Sequence, residues 1–274
     1  MPENYVKKDP LLADHNEAIL ILLITIVLTF FLGIFVLFIG LNRAHMVFAE
    51  ILIVIPAYIF VNKKSYSIKR TFRLGRLHSN ILFPSIIIGL SLSVISDELD
   101  RLIDLVFPMP DFFRTAIVES LTINSTSDFI IIISSSIFFA VICEELLFRG
   151  FIQTSFENSF DITKAIMLTS LTFAIIHLNP WWTIQLLFFS IFLGVIAWKS
   201  NNIIPSMIAH FINNALGILF VNLEESSFSW YLFRNHVNPF IVIAAIIGLY
   251  FGINEFYRIC DENKKLISSE RTDT

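Results

Sequence analysis

Long apolar runs dominate the chain, and its polar residues collect between them. A helix needs about 20 consecutive apolar residues to cross the hydrocarbon of a bilayer, and several runs meet or approach that length. None shows the strict alternation of a barrel strand, which leaves helices as the spanning elements. The predicted spans are residues 18–40, 46–62, 80–96, 128–149, 162–178, 181–198, 203–221 and 239–257. The pattern therefore predicts an all-α, polytopic membrane helix bundle of about eight transmembrane helices.

Basic residues orient this predicted bundle. The connection 63–79, with the sequence KKSYSIKRTFRLGRLHS, is the most basic part of the chain. Cytoplasmic connections of membrane proteins carry an excess of Lys and Arg, so we place this connection and both termini in the cytoplasm. Most of the 19 Lys and Arg residues, Lys7 among them, then lie on that side. Four fall outside it: Arg43, Arg101, Arg114 and Arg234.

Two shorter features concern helix packing and the longest connection. Gly248 and Gly252 lie four residues apart on the last span, a spacing that permits a close contact between helices. The connection 97–127 contains the segment DFFRTAIVESL, residues 111–121, which suits either a short interfacial helix or a loop.

Composition supports the membrane prediction and narrows the class of protein. The chain is 55% hydrophobic and 15% charged, proportions that a soluble domain does not need. Its two cysteines show no framework spacing, and we find no nucleic-acid signature and no cleavable signal segment. The high content of Ile, Phe and Asn is typical of AT-rich bacteria, which predicts a multi-pass protein of a bacterial cytoplasmic membrane.

Ionisable residues inside predicted spans are candidates for function, because each costs at least about 2.5 kcal/mol at mid-membrane. In the first half, Glu50 lies near the outer end of its span, where we expect a partly hydrated carboxylate. The second half holds a denser set, namely Glu144, Glu145, His177, His210 and Asn214.

Helix geometry sorts the carboxylates of this set. Glu145 and Arg149 lie four residues apart, so they share a helix face and can form an ion pair. Glu144 points about 100° away from that pair and is left to face a cavity. A free carboxylate near two imidazoles and an amide can activate water and stabilise an oxyanion, which is the chemistry of hydrolysis.

The depth of these residues tests whether they can meet. Glu144 reaches the depth of His177 only if its helix continues through RGFIQTSFEN to about Phe156, as an amphipathic extension. His210 lies only about 10 Å into its span, so a tilt or an earlier helix start is needed for it to join them.

With these residues the chain resembles the CPBP family of intramembrane glutamic endopeptidases, which includes the CAAX prenyl proteases and bacterial proteins linked to bacteriocin processing and self-immunity. The family's first motif is a Glu-Glu pair with Arg five residues after the first Glu, matched by CEELLFRG at 143–150. The second, Phe-x-x-x-His, matches FAIIH at 173–177, and the third, His-x-x-x-Asn, matches HFINN at 210–214. The three motifs occur in the family's order on successive predicted spans.

The resemblance implies a role for each matched residue. Glu144 and His177 would activate water, and His210 and Asn214 would stabilise the oxyanion. The supporting residues would be Glu145, Arg149 and Phe173. The resemblance also implies a site without metal or other cofactor, and a membrane-tethered peptide or protein as substrate.

It divides the chain into three parts: N-terminal membrane helices with an external loop (1–127), a catalytic helix core (128–222), and a last span with a cytoplasmic tail (223–274).

Three functions stay open at this point. The favoured one is an intramembrane endopeptidase of the CAAX protease kind. The second is a membrane scaffold or bacteriocin self-immunity factor without proteolysis. The third is a metal-dependent membrane hydrolase, because Glu144, His177 and His210 are residue types that can bind Zn²⁺. Asn213 also remains a rival to Asn214 as the functional amide.

Overall fold

The computed structural model describes residues 8–39 and 45–272, which are almost entirely helical. The predicted end of the first span at residue 40, together with Lys7 and Arg43, lies outside the described residues. The long helices are α1 His15–Ile39, α2 His45–Lys63, α4 Leu82–Val106, α9 Ile162–Ile176, α10 Thr183–Ser200, α11 Ile204–Asn222 and α12 Pro239–Thr272. Shorter ones are α3 Ile68–Thr71 and α5 Asp111–Leu121, and a two-stranded antiparallel hairpin pairs β1 Leu232–Phe233 with β2 His236–Val237. Residues 111–121 are therefore helical.

One interrupted helix, which we call the motif helix, runs from Thr126 to Glu157. Its α-helical parts are α6 Thr126–Ile132, α7 Ala140–Glu145 and α8 Gln153–Glu157, and the segments between them, Ile133–Phe139 and Leu146–Ile152, are π-helical. The predicted continuation of this helix towards residue 156 is confirmed. The continuation is not amphipathic, however, because every residue from Gly150 to Phe156 is buried.

The connections meet at two ends of the bundle. At the basic end, named for the connection 64–78, the backbone N–H of Ser67 donates to Leu11 O at 2.9 Å. There the N–H of Asp9 also donates to Asn158 Oδ1, and Asn263 of α12 pairs with Asn80. The first described helix, α1, therefore starts at the basic end, and the last, α12, finishes there. An even number of spans, as predicted, requires this arrangement.

Other connections of the described residues lie at the opposite end. Trp181 Nε1–H donates to Pro108 O at 3.2 Å, and Tyr231 O–H donates to Asp97 Oδ2 at 2.8 Å. Because α9 begins beside the basic end and finishes beside Trp181, it runs the length of the bundle. Among the described residues seven helices are long and apolar enough to span a membrane, and α9, with 15 residues, is shorter than that criterion. The fold is the predicted all-α polytopic bundle with one shorter member.

Close backbone approach joins α4 to its neighbours. A Cβ on Gly248 would lie 2.7 Å from Ser91 Oγ, and one on Gly252 would lie 3.1 Å from a side-chain carbon of Ile88, so both glycines of α12 face α4. On another face of α4, a Cβ on Gly89 would lie 2.8 Å from Ala209 Cα of α11. The predicted close contact at 248–252 is confirmed, and α4 is the helix against which α11 and α12 pack.

Candidate active site

A fully buried ion pair lies at the centre of the motif helix. Glu145 and Arg149 are both 0% exposed, and Arg149 Nε is 3.5 Å from Glu145 Oε2. This is a contact between charges without hydrogen-bond geometry, and the one hydrogen bond that the guanidinium donates among the described residues goes to Ser190 Oγ at 3.0 Å. The predicted pairing of Glu145 with Arg149 is present, and α10 contributes the hydroxyl that accepts a hydrogen bond from Arg149.

His210 of α11 lies between the two carboxylates of the motif helix. Its Nδ1 is 3.0 Å from Glu145 Oε1, and its Nε2 is 3.8 Å from Glu144 Oε2. With its hydrogen on Nδ1, the imidazole donates to Glu145, which fixes the orientation of the ring. Glu145 therefore supports the site in two ways, because it pairs with Arg149 and also positions His210.

Glu144 carries the carboxylate that is left without a strong partner. Its side chain is 14% exposed, and its Oε2 atom is buried without a hydrogen-bond partner among the described residues. A buried carboxylate oxygen that receives no hydrogen bond is costly, and such groups are frequent at functional sites. Glu144 is therefore not the hydrogen-bonded partner of His210 Nδ1, a place that Glu145 takes.

An aromatic side chain connects the second motif to this centre. The Phe173 ring is buried, with the guanidinium carbon of Arg149 4.6 Å from its centroid, which is a cation–π contact. Its centroid lies 4.6 Å from the ring of His177 and 6.0 Å from the ring of His210. Phe189 of α10 approaches His210 edge-on at 5.9 Å. His210 is thus held between two phenylalanines that belong to different parts of the core.

His177 ends α9 and is exposed on one side. Its Nδ1–H donates to Phe173 O at 2.7 Å, which leaves Nε2 as a proton acceptor. In the part of the chain that the structure describes, His177 approaches the centre through the Phe173 ring, and no hydrogen bond or ion pair joins it to Glu144.

Asn214 lies one helical turn beyond His210 on α11. Its Nδ2–H₂ donates to Ser136 O of the motif helix at 2.9 Å, in the first π-helical segment. An amide nitrogen carries two hydrogens, so one donor remains after this bond. Asn213 donates to Asn214 Oδ1 at 3.5 Å, which makes Asn213 a neighbour of the amide rather than a direct contact of the carboxylates.

The depth of His210, which sequence spacing leaves too shallow, is explained by Arg73. This arginine is 3% exposed, and its guanidinium donates to Arg149 O, to Glu157 Oε1 and to Asn201 Oδ1. The connection before α11 therefore lies level with the last turns of the motif helix. This early start of α11 places His210 deep enough to contact Glu145.

Glu50 of α2 is the carboxylate that sequence analysis assigned to the interface. The residue is partly exposed, and because α2 packs against α7, Glu50 also interacts electrostatically with Glu144. Its Oε2 atom is buried and has no hydrogen-bond partner among the described residues. The sequence marked Glu50 as a candidate, because it is an ionisable residue in a predicted span. No sequence pattern predicted that α2 packs against the motif helix.

The structure therefore brings Glu144, Glu145, Arg149, Phe173 and His210 into one cluster, with His177 and Asn214 at its edges. Within residues 8–39 and 45–272, no group of three or more His, Cys, Asp or Glu side chains has the arrangement of a metal site. Chemically, the cluster offers an unpaired carboxylate, an oriented imidazole and an amide donor close to a buried neutral ion pair.

Comparison with known proteins gives one finding. Residues 112–216 match the family model described as Type II CAAX prenyl endopeptidase Rce1-like. The resemblance to the CAAX protease family is confirmed. The match covers less than half of the chain, and it contains all three motifs. No curated protein and no solved structure matches the chain. At the level of the family, the match supports a CAAX-protease-like endopeptidase in an integral, multi-pass membrane protein.

Proposed function

We propose that the protein is an intramembrane endopeptidase of the glutamic type, which hydrolyses a peptide bond in a membrane-associated protein or peptide. The observation that carries this proposal is the contrast between two adjacent carboxylates. Glu145 is fully buried, lies 3.5 Å from Arg149 and accepts a hydrogen bond from His210, whereas Glu144 is 14% exposed and its contact with His210 Nε2 is 3.8 Å long. We place this activity in the cytoplasmic membrane of a bacterium.

The proposed reaction begins at Glu144. This carboxylate takes a proton from a water molecule, whose oxygen attacks the carbonyl carbon of the substrate, and His177 Nε2 helps to orient that water. The negative charge that develops on the carbonyl oxygen is stabilised by a hydrogen bond from Asn214, through its remaining N–H. His210 adds a second hydrogen bond when its ring also carries a hydrogen on Nε2, because the Nδ1 hydrogen is already donated to Glu145. The C–N bond then breaks and the leaving amine takes up a proton, so the products are a carboxylic acid and an amine.

Burial strengthens the electrostatic interactions of these groups. An interaction between charges is several times stronger in a poorly solvated site than in water, and donors fixed before the reaction do not have to reorganise during it. Glu145 fixes His210, and the Ser136 carbonyl fixes Asn214. The Glu145–Arg149 pair keeps two charges of opposite sign at the centre without adding net charge to the bundle.

The test compares protein termini in membranes from cells that carry wild type or Glu144→Gln at equal amounts of folded protein. Termini that appear only with wild type are expected, and they would name the substrate and the bond. Identical termini would refute proteolysis and favour a scaffold or immunity role. Loss of cleavage in the presence of a chelator would instead favour the metal-dependent hydrolase.

A matched pair of variants tests the oxyanion donor. Removal of one such donor lowers kcat by about 10²–10³-fold in other hydrolases. We expect a loss of that order for Asn214→Ala and a change of only a few-fold for Asn213→Ala, because the side-chain hydrogen bond of Asn213 found among the described residues goes to its neighbour's amide. Equal losses for the two variants would contradict the assignment.

A further inference from the structure

The helix α2, which lies outside the segment that matches the family, brings a third carboxylate to the site. Glu50 is 13 residues from the end of α2 at Lys63, and Glu144 is 13 residues from the end of the motif helix at Glu157. Both helices end at the basic end, so the two carboxylates lie at a similar depth of about 20 Å. The packing of α2 against α7 brings the two side chains close enough for an electrostatic interaction.

The charges of the cluster do not balance if every carboxylate is ionised. Arg149 offsets Glu145, with which it forms the buried pair. Glu50 and Glu144 then remain, with the His210 imidazole 3.8 Å from Glu144 as the nearest other titratable group. Two carboxylates that interact at mid-membrane depth do not both ionise at neutral pH, because each charge is costly there and the two repel each other.

The surroundings decide which of the two carboxylates is protonated. Glu144 interacts with the positive charge of Arg149, and a neighbouring cation stabilises a carboxylate. Glu50 has no cation beside it among the described residues. The titratable groups that face it are Glu144 and the Cys143 thiol of the motif helix. Glu145 and Arg149 of the motif helix, which also packs on α2, are paired with each other. The charged residues of α1 and α3 that pack on α2 lie at the basic end.

We propose that Glu50 and Glu144 hold a single proton between them, which rests on Glu50, and that Glu50 is the proton donor of the hydrolysis. This inference rests on the proposed function. Glu144 takes the proton of the attacking water, and Glu50 gives its own proton to the amine as the C–N bond breaks. The proton on Glu144 then passes to Glu50, which restores the resting state with no net change in the protein. Pairs of carboxylates divide acid and base roles in this way when they lie too close for both to ionise.

Infrared spectroscopy of the protein in lipid vesicles tests where the proton lies, without need of a substrate. The difference spectrum of wild type and Glu50→Gln should contain the carbonyl band of a protonated carboxyl group. The band should move in Glu144→Gln, because the neighbouring charge is removed. Glu98→Gln is the control and should leave the band unchanged, because Glu98 accepts two hydrogen bonds from His236 and Val237 at the opposite end.

Kinetics with the substrate tests the donor role. Glu50→Gln should lower kcat by about 10²–10⁴-fold, the usual contribution of a positioned acid or base, with KM unchanged. It should also remove the alkaline limb of the pH–rate profile, since that limb reports loss of the proton from Glu50. The control Tyr58→Phe, on an exposed position of the same helix, should cleave like wild type.

Two results would overturn the inference. One is a carboxyl region of the infrared spectrum that is the same in wild type and Glu50→Gln, and the other is a Glu50→Gln variant that cleaves at the wild-type rate. A wild-type protein that cleaves nothing would refute the proposed function instead, and the spectra would still decide whether Glu50 carries the proton.

Discussion

The buried pair of Glu145 and Arg149 makes a prediction about stability that does not depend on any substrate. Both side chains are 0% exposed, so replacing Arg149 by methionine leaves the Glu145 carboxylate without its compensating charge. Removal of one partner from a buried ion pair costs about 3–5 kcal/mol, because the remaining charge is still buried. The cation–π contact of Arg149 with Phe173 is lost as well.

The size of this effect is large for one substitution. About 3–5 kcal/mol corresponds to a decrease of roughly two to four orders of magnitude in the ratio of folded to unfolded protein. Native domains are stable by only about 5–15 kcal/mol, so the folded amount of Arg149→Met in membranes should fall clearly. Reversible unfolding in mixed micelles, followed by circular dichroism, measures the free energy of unfolding directly.

A second substitution distinguishes the cost of an unpaired buried charge from the cost of lost packing. In the double variant Glu145→Gln, Arg149→Met, the amide oxygen of glutamine still accepts from His210 Nδ1–H, and no unpaired charge remains. We expect the double variant to regain about 2 kcal/mol relative to Arg149→Met, within the usual range for residues in contact. Glu144→Gln is the matched control, because it neutralises the adjacent carboxylate and leaves the pair intact.

The reasoning would be refuted by an Arg149→Met variant that unfolds within about 0.5 kcal/mol of wild type, the range of ordinary surface substitutions. It would also be refuted by a double variant whose destabilisation equals the sum of the two single changes, since additivity would mean that the charges do not interact.

Three further predictions concern packing, the basic end and metal. Gly89→Leu should lower the free energy of unfolding by about 1–3 kcal/mol, because the leucine side chain would meet the backbone of Ala209. Gly33→Leu is the control and should leave the free energy of unfolding unchanged, because the space beside Gly33 is open. Arg73→Gln should make the connection 64–78 more sensitive to protease, because its buried hydrogen bonds are lost, and the exposed Arg70→Gln is the control. Incubation with a chelator should leave the rate of cleavage unchanged, and a decrease that added Zn²⁺ restores would support a metal-dependent hydrolase.

Much of the architecture was predictable from local sequence. The apolar runs located the long helices, because a bilayer imposes its thickness on every span. The spacing of Glu145 and Arg149 predicted their pairing, since four residues complete about one turn. The shortness of α9 was not predicted, because its apolar run continues to residue 178, whereas Leu178 has a φ of 51° and cannot continue a helix.

The contacts between distant segments were beyond local pattern. His210 and Glu145 lie 65 positions apart, and Arg73 and Glu157 lie 84 apart, so no helical period relates either pair. The two π-helical segments also escaped prediction, and they change which side chains of the motif helix share a face, because a π-helix makes a wider turn. The direction of Glu144 was therefore predicted from the α-helical period, whereas the motif helix is α-helical only up to Glu145 in this region.

The position of Glu50 has a consequence for how the two halves of the chain depend on each other. The matched segment contains the three motifs, but Glu50, which interacts electrostatically with the proposed base Glu144, comes from α2. The arginine that contacts Arg149 O, Arg73, comes from the connection 64–78. The N-terminal helices are thus more than a membrane anchor for a separate core. If the matched segment were expressed alone, Glu144 would lose the neighbour that shares its proton, and Arg149 O would lose the hydrogen bond from Arg73. The proposed chemistry is therefore a property of the whole bundle.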